Sequence, residues 1–369
     1  MIKFSKTNIN ESDIRIVKKI LKSGWLTHGK YTTFFEDAIK NFTKAKYAVT
    51  TSSCTSALHL SCLAAGFSKG DEVIVPSQTH TATAHAVEYT GAKAILADID
   101  LITGNLNINE IKKKINKKTK GIIAVHMAGY PCEIGEILKL CKKYKLQLIE
   151  DCAHGLGTMY KNSHVGNFGI SGCFSFYPTK QITTGEGGAL ITNNKSIFKK
   201  VKMLKAFGID KEINQRKKPG EYDVKELGFN YRMTDFQASL GYFQLKRYQL
   251  NLIRRKEIAK RYIHKFKDNK KITHMPFSKN CSYFVFQIFN SNRDKLIKYL
   301  KNKKIQFSIH YANSLDQMYY YKKKYNLKNK FFKNSIQYGK TCISLPVYPK
   351  LKNKEVDYIC KSINKFFEK

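Results

Sequence analysis

The sequence predicts an α/β protein with a large domain built on a mostly parallel sheet, followed by a smaller α+β C-terminal domain. Short, continuously apolar strands alternate with amphipathic helices in the first half, as is typical of a parallel sheet covered on both faces. From about Arg232 the pattern changes to a long helical stretch and then to mixed strands and helices. The length of 369 residues also indicates two domains. We expect them to comprise residues 1–250 and 251–369.

Local patterns define the individual elements. Asn10 and Asp13 form a predicted helix cap, and apolar residues at helical spacing follow them. The predicted strands of the large domain are 47–51, 72–75, 92–97, 121–126, 146–150, 172–176 and 188–192. Its predicted helices are 56–65, 81–89 and 133–144, and a long helical stretch through residues 237–252 connects the domains. The smaller domain is predicted to contain a strand at 283–289 and helices at 293–302 and 354–367.

Composition argues against several protein classes. Hydrophobic residues make up 42% of the chain, which is enough for a buried core. No apolar run approaches the roughly 20 residues that span a bilayer, and the N-terminus lacks the apolar segment of a signal peptide. The nine cysteines are an odd number and form no Cys-x-x-Cys pair, so neither a disulfide framework nor a zinc site is predicted. We therefore expect a soluble, cytoplasmic protein.

The charge balance leaves two interpretations. Lys and Arg total 66 against 28 Asp and Glu, a net charge of +38. Such an excess is typical of binding to nucleic acid, a membrane surface or a phosphorylated substrate. It is also typical of a lysine-biased proteome, which we favour because the lysines are spread along the chain. The densest basic stretch, YYYKKKYNLKNKFFK at 319–333, either stacks on nucleic acid or is a solvated helix or loop whose aromatic residues face the core.

Three polar segments follow predicted strands, where ligands collect in an open α/β sheet. TSSCTS at 51–56 precedes a helix and suits a phosphate, although such a turn is more often only a helix cap. Asp151 follows the apolar LQLIE, where a carboxylate is often a surface ion-pair partner. Lys180 lies between SFYPT and the glycine-dense QITTGEGG. Together, a phosphate cradle, a strand-end aspartate and a later lysine fit one cofactor, pyridoxal 5'-phosphate (PLP).

Motifs throughout the chain resemble the DegT/DnrJ/EryC1/StrS family of PLP-dependent nucleotide-sugar aminotransferases. The resemblance runs through SGWLTHGKYTTFFE, TTSSCTSALHL, GDEVIVPSQTHTATAHAVEYTGAKAILADID, EDCAHGLGT, SFYPTKQITTGEGGALITN, LGFNYRMTDFQASLG, SIHY and ISLPVYP. It implies the fold-type-I architecture of PLP-dependent transferases, as in aspartate aminotransferase. It also implies PLP as the cofactor.

The resemblance further implies roles for residues of the cofactor site. Lys180 corresponds to the lysine that forms a Schiff base with PLP, and Asp151 corresponds to the partner of the pyridinium nitrogen. These two are the predicted catalytic residues, because the amine moves the proton and the carboxylate keeps the ring an electron acceptor. The residues implied as phosphate ligands are Thr55, Ser56 and Ser175.

Three more residues are implied near the cofactor. Asn230, in GFNYRMTD, resembles the Asn that reaches the phosphate of the neighbouring subunit, which implies a homodimer with two shared active sites. His154 lies where the family has Gln or His near the phenolic oxygen. His80 lies where relatives commonly have an aromatic residue that stacks on the pyridine ring. Helix capping or burial in a helix is the alternative for His80 and His85.

The substrate contacts that the resemblance implies come from two segments. Trp25 and His28 belong to SGWLTHGK, which in the family lies close to the sugar-nucleotide site. His310 and Tyr311 belong to SIHY of the small domain and resemble residues that approach the active site. Ordinary packing is the alternative for each of the four. No metal ligands are predicted.

The implied reaction is transamination of a nucleotide-linked keto-sugar, with glutamate as the expected donor. The amino-sugar product would enter surface polysaccharides such as lipopolysaccharide, or other glycans. A sugar dehydratase of the same family has His at the position of Lys180, so the lysine favours transamination. A nucleic-acid or membrane-surface binding protein, driven by the net charge, leaves the strand-end residues unexplained. We therefore expect neither nucleic acid nor membrane as a partner.

Overall fold

The computed structural model describes residues 1–211, 218–327 and 332–368. Its strands are β1 (Tyr47–Thr51), β2 (Glu72–Pro76), β3 (Lys93–Ala97), β4 (Thr119–Val125), β5 (Gln147–Asp151), β6 (Met159–Tyr160), β7 (Ser163–His164), β8 (Ser171–Ser175), β9 (Gly188–Thr192), β10 (Thr273–His274), β11 (Phe286–Phe289) and β12 (Cys342–Leu345). Seven of them form the central sheet in the order β1-β9-β8-β5-β4-β2-β3. β9 is antiparallel to both of its neighbours, and the other neighbouring pairs are parallel. The predicted mostly parallel sheet is therefore confirmed.

Helices cover both faces of this sheet. The helices of the described residues are α1 (Glu11–Ser23), α2 (Lys30–Thr43), α3 (Cys54–Ala64), α4 (Thr81–Glu88), α5 (Ile108–Lys114), α6 (Ile134–Tyr144), α7 (Lys195–Leu204), α8 (Asp235–Lys246), α9 (Tyr248–Phe266), α10 (Arg293–Asn302), α11 (Tyr319–Tyr325), α12 (Lys333–Thr341) and α13 (Asn353–Phe367). In β2, Val73 and Val75 pack with α3, α4 and α7, whereas Ile74 packs with α5 and α6. Both faces of the strand are apolar because each one is covered by helices.

A second sheet, the antiparallel β10-β11-β12, forms in the C-terminal part of the chain. Its apolar side chains share a core with α9, α10 and α13. Ile2 joins this core, and its backbone pairs with Ile305. The predicted division between residues 250 and 251 falls inside α9, and this boundary stays a prediction.

The helical stretch predicted through residues 237–252 is interrupted in the structure. Arg247 lies between α8 and α9 with φ −104° and ψ 6°. Its guanidinium donates to the carboxylate of Asp13 in α1, with one bond at 3.0 Å. The next residue, Tyr248, is buried and donates its hydroxyl to the backbone oxygen of Leu156 at 2.7 Å. The predicted helical stretch therefore consists of two helices, α8 and α9, with Arg247 and its contacts between them.

The strand predicted at 283–289 begins only at Phe286. Tyr283 has the left-handed φ of 48°, and its hydroxyl accepts a hydrogen bond from the N–H of Ser278 at 2.8 Å. Phe284 then donates its N–H to the backbone oxygen of Ala128 at 3.0 Å. The chain before β11 is therefore a bend that carries Phe284 to the large sheet.

The basic stretch 319–333 supplies α11, and residues 328–331 lie outside the described part of the chain. Tyr321 is buried in the core between α3, α4 and the sheet. Tyr325 and Lys324 bind the carboxylate of Glu88 in α4, the latter at 2.6 Å. The structural alternative therefore holds for Tyr321 and Tyr325, whereas Tyr319 and Tyr320 are exposed.

All nine cysteines are free and buried. Within the described ranges, no helix combines the length and the apolarity that crossing a membrane requires.

Candidate active site

Neighbouring strands bring the predicted cofactor residues to one edge of the central sheet. Asp151 is the last residue of β5, and Ser175 is the last residue of the adjacent β8. Ser175 pairs with Gly188 of β9. A side chain at Gly188 would collide with the backbone of Ser53 and Cys54. The glycine therefore lets the start of α3 lie against this edge, where the polar residues collect.

The start of α3 is a reciprocal helix cap. The Ser53 Oγ accepts from the N–H of Ser56 at 3.1 Å, and the Ser56 Oγ accepts from the N–H of Ser53 at 3.0 Å. The Ser56 hydroxyl also donates to the backbone oxygen of Ser53 at 2.7 Å. Thr55 is half-buried beside it, and the first N–H groups of a helix favour an anion. Capping thus accounts for the Ser56 hydroxyl, and phosphate binding by Thr55, Ser56 and Ser175 stays a prediction.

Asp151 is held inside the site by two donors. Only 4% of its surface is exposed. Its Oδ2 accepts from the hydroxyl of Thr83 in α4 at 2.8 Å, and its Oδ1 accepts from the N–H of Ala153 at 3.0 Å. The alternative of a surface ion-pair partner therefore does not hold. A buried carboxylate with few donors suits a role toward a cationic ligand group.

Lys180 lies in the turn after β8, where its N–H donates to the backbone oxygen of Tyr177 at 2.9 Å. Its Nζ lies over the ring of Phe284, 4.6 Å from the centroid. Removal from water lowers the pKa of this amine to about 8, while nearby Cys54 and Asp151 act in the opposite direction. A lysine with a lowered pKa is more often unprotonated at neutral pH and is a better nucleophile and base.

His154 is a buried, uncharged member of the site. Its ring stacks on Phe284 with the centroids 4.3 Å apart, and its Nδ1 accepts from the N–H of Ala128 at 3.3 Å. The pKa of His154 is well below the usual value, mainly because the ring is buried and also because the positive charge of Lys180 is near. The ring proton is therefore on Nε2, which lies 3.4 Å from the hydroxyl of Tyr311.

The C-terminal pair His310 and Tyr311 reaches the same cluster. The His310 Nδ1 lies 2.9 Å from the hydroxyl of Ser344, and its ring meets that of His154 edge-on at 5.8 Å. The pKa of His310 is lowered to about 3, mainly because the ring is buried and also because the positive charge of Lys180 is near. Burial also raises the pKa of Tyr311. The structure thus brings both residues to His154, and substrate contact stays a prediction for them.

His80 caps α4, as the structural alternative predicted. Its Nδ1 accepts from the N–H of Ala82 at 3.2 Å, and its ring meets Tyr311 edge-on at 5.8 Å. Partial burial and then the charge of Lys180 lower the pKa of His80, so the ring and the amine are close. Stacking of this ring on a cofactor stays a prediction. His85 instead stacks on Tyr321 at 5.8 Å.

Trp25 and His28 line a cavity of about 950 Å³. The indole N–H of Trp25 donates to the backbone oxygen of His28 at 3.1 Å. The described residues that line the cavity include none of the predicted cofactor ligands, but they do include five cationic side chains: Lys199, Lys202, Lys205, Lys211 and Arg232. Asn230 adjoins it, because its Oδ1 accepts from the Nε of Arg232 at 3.2 Å. The substrate role of Trp25 and His28 and the cofactor role of Asn230 stay predictions.

Three residues that the sequence analysis did not single out belong to the site. They are Thr83, which donates to Asp151, Phe284, which contacts both His154 and Lys180, and Cys54, whose thiol influences the pKa of Lys180. Thr83 lies in a helix with a second threonine, so no local signal distinguished it. Phe284 lies in an apolar stretch that is typical of a strand, so no local signal distinguished it.

The residues at this edge fit the cofactor that their chemistry implies. A buried carboxylate can hold a proton on a ring nitrogen, and an amine of lowered pKa can bind an aldehyde. A helix start with free N–H groups can bind a phosphate. All three are present at the same edge of an open α/β sheet. The fold and the site together define a PLP-dependent enzyme of fold type I.

Comparison with known proteins identifies the family. Residues 7–364 match the model of the DegT/DnrJ/EryC1/StrS aminotransferase family, and the chain belongs to this family. The chain is 36% identical to the GDP-perosamine synthase of Escherichia coli O157:H7 over 95% of this chain and 94% of that protein. The structure resembles Helicobacter pylori PseC, an aminotransferase involved in the biosynthesis of pseudoaminic acid, with a TM-score of 0.92 and 32% identity over 100% of this chain and 99% of PseC.

A further similar structure is the PLP form of Spr1654 from Streptococcus pneumoniae, with a TM-score of 0.91 and 28% identity over 100% of this chain and 98% of that one. The predicted family, fold class and cofactor are therefore confirmed. The protein is a PLP-dependent sugar aminotransferase.

Proposed function

We propose that the enzyme transfers the amino group of glutamate to the keto group of a nucleotide-linked sugar. The presence of Lys180, with its lowered pKa beside Asp151, carries this proposal. A related sugar dehydratase would have His at this position. The amino-sugar product would enter a surface polysaccharide such as lipopolysaccharide, or another glycan.

The names of relatives support this substrate class. One is the GDP-perosamine synthase described above. Another is the UDP-4-amino-4,6-dideoxy-N-acetyl-beta-L-altrosamine transaminase of Campylobacter jejuni, 33% identical over 379 residues. A third is the spore coat polysaccharide biosynthesis protein SpsC of Bacillus subtilis, 33% identical over 373 residues. Relatives of similar identity thus carry different nucleotides in their names, so the test must include several bases.

Bound PLP supplies an electron sink for the negative charge that develops at the donor Cα. In our proposal the Lys180 amine would hold the cofactor through its aldehyde until a donor amine takes that place. The freed amine would then serve as the general base and acid that moves the proton of the donor Cα. Asp151 holds a proton on the ring nitrogen, and the hydroxyl of Thr83 orients that carboxylate. The same residues act in reverse order on the keto-sugar after 2-oxoglutarate has left.

The remaining predicted contacts surround this core. We propose that the phosphate binds the start of α3 through Thr55 and Ser56, together with Ser175. His154 would donate its Nε2 proton to the phenolic oxygen, and His80 would stack on the pyridine ring. The tautomer of His154 supports this donation, because the N–H of Ala128 binds Nδ1 and leaves the ring proton on Nε2.

The cavity beside Trp25 supports a nucleotide diphosphate as part of the substrate. Its lining carries five Lys and Arg side chains against the two carboxylates of Glu36 and Asp210, an excess that suits phosphate groups, and an exposed indole can stack on a base. We propose that Trp25 and His28 contact the nucleotide-linked part, and that His310 and Tyr311 contact the sugar. The lining of one cavity is enough for phosphate recognition of this kind. The net charge of the chain therefore does not require a nucleic-acid partner.

We also propose a homodimer in the cytoplasm. Asn230 is exposed and lies on the segment that borders the cavity, which supports a contact from Asn230 to the phosphate of the neighbouring subunit. The free thiols of all nine cysteines support a reducing compartment.

A panel of keto-sugars linked to UDP, GDP and dTDP, each mixed with glutamate, tests the proposal. Mass spectrometry should detect conversion of one or more ketones to the amine, and 2-oxoglutarate should form in equal amount. Lys180→Ala is the matched control and should show neither product. Loss of water from the sugar without amine formation would favour the dehydratase, and no reaction with any sugar would contradict the proposed substrate class.

A further inference from the structure

Glu150, the residue before Asp151, is a fully buried carboxylate on the opposite face of β5. Its Oε1 accepts from the N–H groups of Phe168 and Gly169 at 2.8 and 2.9 Å. Its Oε2 accepts from the N–H of Gly166 at 2.8 Å. Burial opposes ionisation, but hydrogen bonds from His126 and from these N–H groups lower the pKa of Glu150. A fixed negative charge therefore lies directly behind the active site.

The side chain of His126 completes the shell of Glu150. Its Nδ1 accepts from the N–H of Cys132 at 3.1 Å, so the ring proton of a neutral His126 is on Nε2. That Nε2 donates to the Oε2 of Glu150 at 3.1 Å. The thiol of Cys152 lies close enough to complete a three-ligand set. However, N–H donors already occupy His126 Nδ1 and both Glu150 oxygens, so hydrogen bonding accounts for the arrangement.

The backbone of His126 starts the turn that holds His154. The N–H of His126 donates to the backbone oxygen of Asp151 at 3.2 Å, and its oxygen accepts from the N–H of Gly129 at 3.1 Å. Within this turn Ala128 has the left-handed φ of 55°. Its N–H donates to the Nδ1 of His154 at 3.3 Å, and its oxygen accepts from the N–H of Phe284 at 3.0 Å.

We propose that Glu150 is a positioning residue, which acts through His126 and the turn at Ala128 to hold the ring of His154 in the form that carries its proton on Nε2. A carboxylate in this place is costly unless its donors are all present. The charge orients the Nε2–H of His126 and thereby fixes the turn. The Ala128 N–H then occupies Nδ1 of His154, which leaves Nε2 as the only donor that His154 presents to the site.

This inference rests on the proposed function only in treating His154 as a cofactor residue. The test is therefore made on the ring itself. Full-length protein with ¹⁵N-labelled histidine, with and without PLP, is recorded by NMR from pH 5.5 to 8, and His154→Gln assigns the signal. Wild-type His154 should show one neutral form, protonated on Nε2, throughout this range. A wild-type ring protonated on Nδ1 would overturn the proposal, whatever substrate the enzyme accepts.

Glu150→Gln should abolish this single form and produce a second tautomer or a cationic ring at low pH. The matched control is Asp13→Asn, which alters another buried carboxylate, bound to Arg247 instead of to His126. It should lower stability without changing the His154 signal. If a folded Glu150→Gln protein keeps the wild-type His154 signal and the wild-type pH dependence of the PLP absorbance, Glu150 has no positioning role.

His126→Asn provides a second variant if Glu150→Gln does not fold. The Asn amide oxygen can replace Nδ1 as the acceptor for Cys132, but the shorter side chain cannot reach Glu150. This variant should change the His154 signal in the same way as Glu150→Gln. An unchanged signal in a folded His126→Asn protein would break the proposed connection.

Discussion

Lys180 should capture PLP at a rate that reaches half of its maximum near pH 8 and levels off above it. Only the unprotonated amine attacks an aldehyde, and removal from water lowers its pKa from 10.5 to about 8. At pH 7 about 9% of such an amine is unprotonated, against about 0.03% at the ordinary value, an advantage of about 300-fold. The capture rate should therefore rise about ninefold from pH 6 to 7 and about fivefold from pH 7 to 8, and it should level off above about pH 9.

The assay mixes cofactor-free protein with PLP in a stopped-flow instrument and follows the visible absorbance from pH 6 to 11. N-acetyl-lysine in place of the protein is the reference, so the ionisation of PLP cancels in the ratio of the protein rate to the reference rate. This ratio should be constant below pH 8 and fall above it, because the reference amine still titrates near pH 10.5. Borohydride trapping and peptide mapping should place the adduct on Lys180. A ratio that stays constant up to pH 10 would refute the reasoning, because the protein amine would then titrate like an ordinary solvated lysine.

The Asp151 carboxylate gives this experiment an internal check. Its negative charge raises the pKa of Lys180 and partly offsets the effect of burial. In Asp151→Asn the plateau should therefore move to lower pH, because the cationic amine loses a stabilising charge. Movement to higher pH would mean that the electrostatic assignment is wrong.

Four further outcomes are expected. Asp151→Asn should stay folded and bind PLP, yet convert it with glutamate at least about a hundredfold more slowly in a single turnover, and a near-wild-type rate would contradict its role at the ring nitrogen. Mixing Lys180→Ala with Asn230→Ala should restore part of the activity, because one site of a mixed dimer is intact, whereas a fully active monomer in sedimentation would exclude sharing. Thr83→Val should lower the free energy of unfolding by about 1.5–3 kcal/mol, measured by urea denaturation, because it removes a hydrogen bond to a buried carboxylate. Burial lowers the pKa of His310 to about 3, so this residue should not titrate near pH 6.5. The pH profiles of kcat/KM for the wild type and for His310→Gln should therefore have the same steps around that pH.

The sequence predicted the positions of those site residues that a single segment of the chain is enough to locate. An apolar strand that ends in a polar residue predicts the position of Asp151, because the carboxyl ends of parallel strands meet at one edge. The glycine-dense turn after Lys180 similarly indicates where the chain leaves the sheet. Both signals are local, and the structure places both residues at the predicted edge.

Contacts between distant segments were not predictable in this way. Thr83 and Asp151 are 68 residues apart, and nothing in the helix pattern of α4 indicates which hydroxyl faces a carboxylate. The bend at Arg247 depends on Asp13, which lies 234 residues earlier in the chain. Helical periodicity continues across residue 247, so the local pattern did not indicate the break between α8 and α9.

The chemistry of Lys180 likewise depends on a segment that its own motif does not contain. The bend before β11 brings Phe284 into contact with both the amine and the ring of His154, and His310 and Tyr311 pack around the His154 ring from the C-terminal part of the chain. These rings exclude water, which disfavours every cation among them, so both histidines become neutral and the lysine becomes a better nucleophile. The large sheet thus supplies the reactive groups, while the C-terminal segment sets the protonation states in which they can act.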